Sequence, residues 1–141
     1  MPTAIITGAS RGLGLALARA LAARGWRLVI DARGAAALDR AADGLGDVVA
    51  LPGDVADPAH RRALVEAAQG QVDLLVNNAS LLGPSPQPAL ADYPLDELER
   101  VYAANVFAPL ALIQLALPHM PFGGFIVNVT SDAGADAYPG W

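Results

Sequence analysis

Between Thr7 and Gly14 the chain reads Thr-Gly-Ala-Ser-Arg-Gly-Leu-Gly, and these eight residues decide more about its architecture than any other stretch. They follow the apolar, β-branched run Ala4-Ile5-Ile6-Thr7. After them Leu13, Ala16, Leu17, Ala20 and Leu21 recur at helical spacing. A strand that turns into a helix through glycines leaves several backbone N–H groups unpaired at the positive end of the helix dipole. Such a turn is a cradle for phosphate. Gly8 can take turn angles closed to other residues, Gly12 lets a diphosphate approach the backbone, and Gly14 removes a side chain where the helix packs on its strand. The glycine spacing alone is common in turns that bind nothing, so its place between strand and helix is what gives it meaning.

The rest of the chain repeats the same alternation. Strand-like apolar runs at Thr3 to Thr7, Arg27 to Ala32, Val48 to Pro52, Leu74 to Asn77 and Gly124 to Thr130 are bounded by Gly, Pro, Asp or Asn. Helical patterns fall between them at Gly12 to Arg24, Ala35 to Gly44, Pro58 to Gln69 and Leu95 to Pro118. Alternating strands and helices are the signature of a parallel α/β sheet with crossover helices. Right-handed crossovers that reverse after the third strand give the order 3-2-1-4-5, with a crevice at the carboxyl ends of strands one and four. Pro84, Pro86, Pro88 and Pro94 forbid a helix between Leu81 and Pro94, which reads as extended loop.

With 141 residues, 54% of them hydrophobic, one compact domain with a sizeable core is expected. A charged fraction of only 16% suits a sheet buried on both faces. The net charge is -5 and the nine arginines are scattered, so neither nucleic acid nor an anionic membrane is an expected partner. The longest apolar stretch, Val106 to Leu117, is too short to span a bilayer, and a cytoplasmic location is expected. Cysteine is absent, which excludes disulfides, thiolate chemistry and cysteine-ligated zinc. His60 and His119 lack metal-ligand spacing, so no metal site is expected and both read as surface or helix-end residues. Lysine is absent too.

Several segments at strand ends, taken with the glycine turn, resemble the short-chain dehydrogenase/reductase family over the whole chain. Thr7 to Gly14 is similar to that family's Thr-Gly-x-x-x-Gly-x-Gly fingerprint. Asn77-Asn78-Ala79-Ser80 resembles its Asn-Asn-Ala-Gly motif, with Ser80 in place of the glycine, and Gly53-Asp54-Val55 resembles its acidic turn after strand three. The resemblance implies a Rossmann-type doubly wound sheet, truncated after strand five. It also implies a cofactor-binding set of Thr7, Gly8, Ser10, Arg11, Gly12, Leu13, Gly14, Arg33, Asp54, Val55, Asn78 and Ala79. Asp54 would accept from the adenine amino group while the backbone near Val55 lies against the ring. Read without the family, Asp54 is a turn residue, and Asp57 is the better cap before Pro58.

Cofactor choice turns on Asp31 and Arg33 at the end of strand two. A carboxylate there holds a ribose 2′-hydroxyl, and a guanidinium holds a 2′-phosphate. Arg33 falls just beyond the strand, where the resemblance implies a basic residue in NADP-selective members, and Arg11 adds a second guanidinium on the same side, which favours NADP over NAD; read without the family, both are solvated surface charges. Asp31 lies within the strand and is open to a simple pairing with Arg33.

The resemblance also implies that Ser131, delivered by the strand Gly124 to Thr130, hydrogen-bonds a substrate carbonyl. Asn105 would sit in a locally opened helix that holds a water, and Pro109 four residues later favours a kink there. By itself Ser131 is a turn former and Asn105 a polar break in an apolar face. The family's Tyr-x-x-x-Lys pair is expected beyond Trp141. Tyr138 reads as loop, and a tyrosine of ordinary pKa is a poor base at neutral pH.

The expected fold is therefore a single NAD(P)-binding domain over residues 1–141, incomplete at its C-terminus and with strand five exposed at an edge. The expected function is the N-terminal part of an NADP(H)-dependent oxidoreductase moving hydride between nicotinamide and a small carbonyl or alcohol substrate. Turnover by these residues alone is not expected. The alternative is a catalytically inactive, truncated cofactor-binding or interaction module. The long apolar helix could also pair with its copy in a homo-oligomer.

Overall fold

The computed structural model describes residues 1–136 and 138. Five parallel strands, β1 (Thr3–Ile6), β2 (Arg27–Ala32), β3 (Val48–Pro52), β4 (Leu74–Asn77) and β5 (Phe125–Asn128), form one sheet in the order β3-β2-β1-β4-β5. This is the doubly wound order the crossover rule gives. The connecting helices are α1 (Gly12–Ala22), α2 (Ala35–Ala42) and α3 (Pro58–Ala67), followed by α4 (Leu95–Tyr102) and α5 (Ala108–Ala116), which flank a π-helical turn at Ala103–Phe107. Pro58 at the first position of α3 and the Asp57 carboxylate, which accepts from the Ala59 N–H at 2.9 Å, fix where that helix begins. Between β4 and α4 the chain stays extended save for a short 3-10 turn at Leu90–Asp92, as the prolines require.

Strand periodicity divides the core in two. Ala4 and Ile6 of β1, Leu28 and Ile30 of β2 and Val76 of β4 pack with Ala18 of α1 and Leu38 of α2. Ile5, Val29 and Leu75 point the other way, onto Leu64 and Val65 of α3 and Leu112 of α5. Asp31 shares its parity with Val29, so its side chain belongs to the α3 side. That accident of register governs the site described below.

From Leu95 to His119 the chain is helical for 25 residues, long and apolar enough by length and composition to cross a bilayer. The sequence offered a shorter apolar stretch, Val106 to Leu117. Here the helix lies along the sheet: Ala104, Ala108, Leu112 and Ala116 form a buried stripe at a spacing of four. Its opposite face exposes Val106, Phe107, Leu110 and Leu117. The π turn has a direct cause. Pro109 has no N–H to offer the Asn105 carbonyl, and the Ala108 N–H reaches back five residues to the Ala103 carbonyl instead. The disturbance expected at Asn105 and Pro109 is thus a widened turn.

Strand β5 closes one side of the sheet, paired to β4 and uncovered beyond it among the described residues. Its Phe125 side chain is 69% exposed, and Val127 and Val129 are also exposed.

Candidate cofactor-binding site

A cleft of about 270 Å³ opens where the carboxyl ends of β1, β2, β3 and β4 meet the π turn. The glycine turn forms one wall. Gly8 adopts φ +67°, and a Cβ there would lie 2.9 Å from the Ala79 Cα, so only glycine lets the turns after β1 and β4 touch. At Gly14 a Cβ would come within 2.6 Å of both the Gly8 carbonyl and Asn78 Nδ2. Gly14 therefore makes room for the start of its own turn and for Asn78, rather than for the strand. Gly12, at φ +57°, has no protein atom beyond the adjoining backbone within 4 Å of where a Cβ would be, which is the open approach a diphosphate needs.

Helix α1 begins without help from the protein. Arg11 is its N-cap residue and makes no side-chain capping bond, and its first turn holds no acidic residue. The first intrahelical bond runs from the Leu15 N–H to the Arg11 carbonyl at 3.3 Å. The amides of Ser10, Arg11, Gly12, Leu13 and Gly14 have no hydrogen-bond acceptor among the described residues. Helix N-terminal amides without a cap want an acceptor, and an arginine at the positive end of a helix dipole wants an anion. The turn offers both at one place.

Behind the turn, two side chains lock its neighbours. Thr7 Oγ1 accepts from the N–H groups of Asn78 and Ala79, both at 3.0 Å. Asn78 Nδ2 donates to the carbonyls of Thr7 at 2.9 Å and Gly8 at 3.1 Å. These two residues of the expected cofactor set act from behind the turn, as braces. Asn77 is committed likewise, donating to Asn128 Oδ1 at 2.8 Å across β4 and β5. Ser10, Arg11, Arg33, Asp54, Val55 and Ala79 line the cleft. Asp54 Oδ1 accepts from the Ala56 N–H at 2.9 Å, which holds its carboxylate in a fixed turn at the cleft wall. The Leu13 side chain is exposed, so only its amide belongs to the cradle.

Three features were not read from the sequence. Asp31 does not pair with Arg33: it is 1% exposed, with Oδ1 accepting from the Gly8 N–H at 2.7 Å and Oδ2 held 2.9 Å from His60 Nε2. Burial raises the Asp31 carboxyl above its ordinary value, while the Gly8 amide and His60 pull it back. His60 does stand at a helix end, yet it is buried, because a Cβ on Gly53 would overlap its ring and glycine has none. Arg100, paired with Glu97 at 3.0 Å, also lines the cleft. Only Asp31 carried a sequence signal, its place within the strand, and which face it points to followed from the packing of Val29 on the α3 side.

Ser131, expected to meet the substrate carbonyl, and Asn105, expected to hold a water, lie outside the cleft lining. The Asn105 side chain forms a reciprocal pair with the Leu81 backbone, Nδ2 to the carbonyl and N–H to Oδ1, both at 2.8 Å. It pins the loop after β4 onto the π turn. Ser131, just past β5, accepts from the Ala133 N–H at 3.2 Å and donates to Asp132 Oδ1 at 3.2 Å. Tyr138 donates to the other oxygen of Asp132 at 3.1 Å, and the Tyr138 and Ser131 hydroxyls hold that carboxyl below its ordinary value. Tyr138 is not helical, as expected, and its neighbours Ala137 and Pro139 lie outside the described residues. Among the described residues no group of acidic and histidine side chains is arranged to hold a metal ion.

The short chain dehydrogenase family model matches residues 2–141. The chain is 37% identical to the short chain dehydrogenase asqE of Emericella nidulans, over 98% of this chain and 56% of that protein. It is 36% identical to the 2-(R)-hydroxypropyl-CoM dehydrogenase of Xanthobacter autotrophicus, over 97% of this chain and 59% of that protein. Among solved structures it superposes on a blue fluorescent protein from a metagenomic library in complex with NADPH, with TM-score 0.87 and 37% identity over 96% of this chain and 58% of that one. The chain thus spans a little over half the length of the relatives it matches. Sheet order, glycine turn and these matches agree, and the chain belongs to the short-chain dehydrogenase/reductase family of oxidoreductases.

Proposed function

We propose that this chain binds NADP(H) in preference to NAD(H) and forms the cofactor-binding part of an enzyme that interconverts a small ketone and its secondary alcohol. One observation carries the reading. The uncapped start of α1 presents free amides, and the Arg11 and Arg33 guanidiniums beside it have no hydrogen-bond or ion-pair partner among the described residues. The amides suit the diphosphate, and the guanidiniums suit the additional 2′-phosphate, which they match bidentately. Asp31 is the carboxylate that would otherwise take a ribose 2′-hydroxyl, and both its oxygens are engaged by Gly8 and His60. The relative solved with NADPH supports the same choice. A relative named as a dehydrogenase of a hydroxypropyl compound supports a secondary alcohol as the substrate class.

When bound, the nicotinamide supplies hydride chemistry, and the protein supplies position and electrostatics. Asp54 and Val55 would hold the adenine end. Asn105 would keep the Leu81 loop in place over the cleft. Ser131 would exchange its bond to Asp132 for one to the substrate carbonyl, orienting that carbon toward the cofactor. The test is Arg33→Ala, with NADPH and NADH titrated separately by nucleotide fluorescence. Loss of one charge-assisted phosphate pair should weaken NADPH by about ten- to a hundredfold and leave NADH within about twofold. Equal behaviour of the two nucleotides would refute the NADP preference.

A further inference from the structure

Asp31, His60 and Gly53 form a buried connection beneath the glycine turn. It joins three segments: the end of β2, the turn after β3 and the first turn of α3. Asp31 takes the first two amides of the turn, the Gly8 N–H through Oδ1 at 2.7 Å and the Ala9 N–H through its main-chain carbonyl at 2.8 Å. The next five amides, Ser10 to Gly14, are the ones left for a ligand. His60 Nε2 holds Oδ2 at 2.9 Å, and its ring reaches that spot only because residue 53 has no side chain.

A carboxylate is a poor choice if the turn needs only a hydrogen-bond acceptor. It carries the same sign as the diphosphate, and burying it is costly without donors on both oxygens. A hydroxyl or amide could accept from Gly8 without that conflict. What a carboxylate adds is a shorter and stronger bond, which fixes the amide's direction more tightly. His60 supplies the second donor that makes the buried charge tolerable.

We propose that Asp31 is a positioning residue for the dinucleotide: held by His60 over Gly53, it clamps Gly8 so that the amides of Ser10 to Gly14 converge on the diphosphate. The inference rests on the cofactor reading above. It separates two roles for the carboxyl end of β2, since Arg33 chooses between nucleotides whereas Asp31 serves both alike through the diphosphate they share. His60 acts through Asp31 and touches no ligand.

The experiment uses the 141-residue chain and its Asp31→Ala, Asp31→Asn, His60→Ala and His60→Gln variants. Folding is checked by circular dichroism, NADPH and NADH affinities are measured by fluorescence titration, and the Gly8 amide is followed by ¹⁵N NMR without nucleotide. Asp31→Ala should weaken both nucleotides by the same factor, about tenfold, as expected for loss of a charge-assisted hydrogen bond. Asp31→Asn keeps an acceptor and should return both to within about threefold of the parent. His60→Ala should weaken both nucleotides and His60→Gln, which restores a donor, should recover them. The Gly8 amide should lose its downfield position in Asp31→Ala and take an intermediate one in Asp31→Asn, whose neutral acceptor makes a weaker bond. A folded Asp31→Ala that binds both nucleotides as the parent does overturns the proposal, and so does a loss confined to one nucleotide. Should Asp31→Ala not fold, His60→Ala decides: unchanged affinity and an unmoved Gly8 amide overturn it. A parent that binds neither nucleotide refutes the cofactor reading itself, and the inference falls with it.

Discussion

Replacing Gly12 with alanine separates binding from folding at the centre of the site. Gly12 and Gly25 both have positive φ, +57° and +76°, and beyond the adjoining backbone neither has a protein atom within 4 Å of where a Cβ would stand. An added methyl therefore meets no steric clash at either site, and only the backbone penalty remains, about 1–2 kcal/mol for an L-residue held in the left-handed region. Gly12→Ala and Gly25→Ala should lose that much stability alike, read from urea unfolding at constant slope. Their effects on nucleotide binding should differ. The methyl at residue 12 fills the space a diphosphate needs beside the free amides of Gly12 to Gly14, whereas Gly25 lies in the turn between α1 and β2. Losing one charge-assisted bond from that cradle costs about 1.5–3 kcal/mol, or about ten- to a hundredfold in NADPH affinity. Gly25→Ala should bind as the parent does. If Gly12→Ala binds NADPH as tightly as Gly25→Ala, the turn is not the diphosphate site.

Two further outcomes follow from particular contacts. Asn105→Ala removes both 2.8 Å bonds to Leu81, and because those backbone groups are exposed to water the loss of stability should be modest, about 1 kcal/mol. Hydrogen exchange at the Leu81 amide should accelerate in that variant, and an unchanged rate would show that Asn105 does not hold the loop. Asp31 sets a pH dependence whose sign is fixed by its raised carboxyl, the facing groups being His60, the Gly8 amide and Asp54. The folded chain holds the Asp31 proton more tightly than the unfolded one, whose carboxyl has the ordinary value of 3.8. Stability of the parent relative to Asp31→Asn should be greatest below that value and fall as pH rises through the raised folded value. A relative stability that rises with pH would contradict it.

The sheet order was legible because buried parallel strands must be short apolar runs, and the turns between them must carry Gly, Pro or Asp. The glycine turn was legible for the same reason, since Gly8 and Gly14 stand where backbone or Asn78 comes too close for any Cβ. Asp57 and Pro58 announced α3. What escaped was set by contacts between distant segments. Pro109 marked a disturbance near Asn105, but whether the helix kinks or widens depends on where the neighbouring N–H finds its acceptor, and the Ala108 N–H finds it in the Ala103 carbonyl. Asn105 found its partner 24 residues away in a loop without periodicity. The burial of His60 depended on the missing side chain of Gly53, and Asp31's direction on a strand parity that places it beside Val29 rather than Ile30. The bracing by Thr7 and Asn78 also joins distant segments, since Thr7 Oγ1 and Asn78 Nδ2 tie the turn after β4 to the turn after β1.

The most direct measurement is a ¹⁵N–¹H correlation spectrum of the chain titrated with NADPH. The amides of Ser10, Arg11, Gly12, Leu13 and Gly14 should show the largest shifts, saturating together, while those of Gly8 and Ala9, already bonded to Asp31, move less. Shifts that cluster away from this turn, or a spectrum that NADPH leaves unchanged, would contradict a diphosphate held by the start of α1.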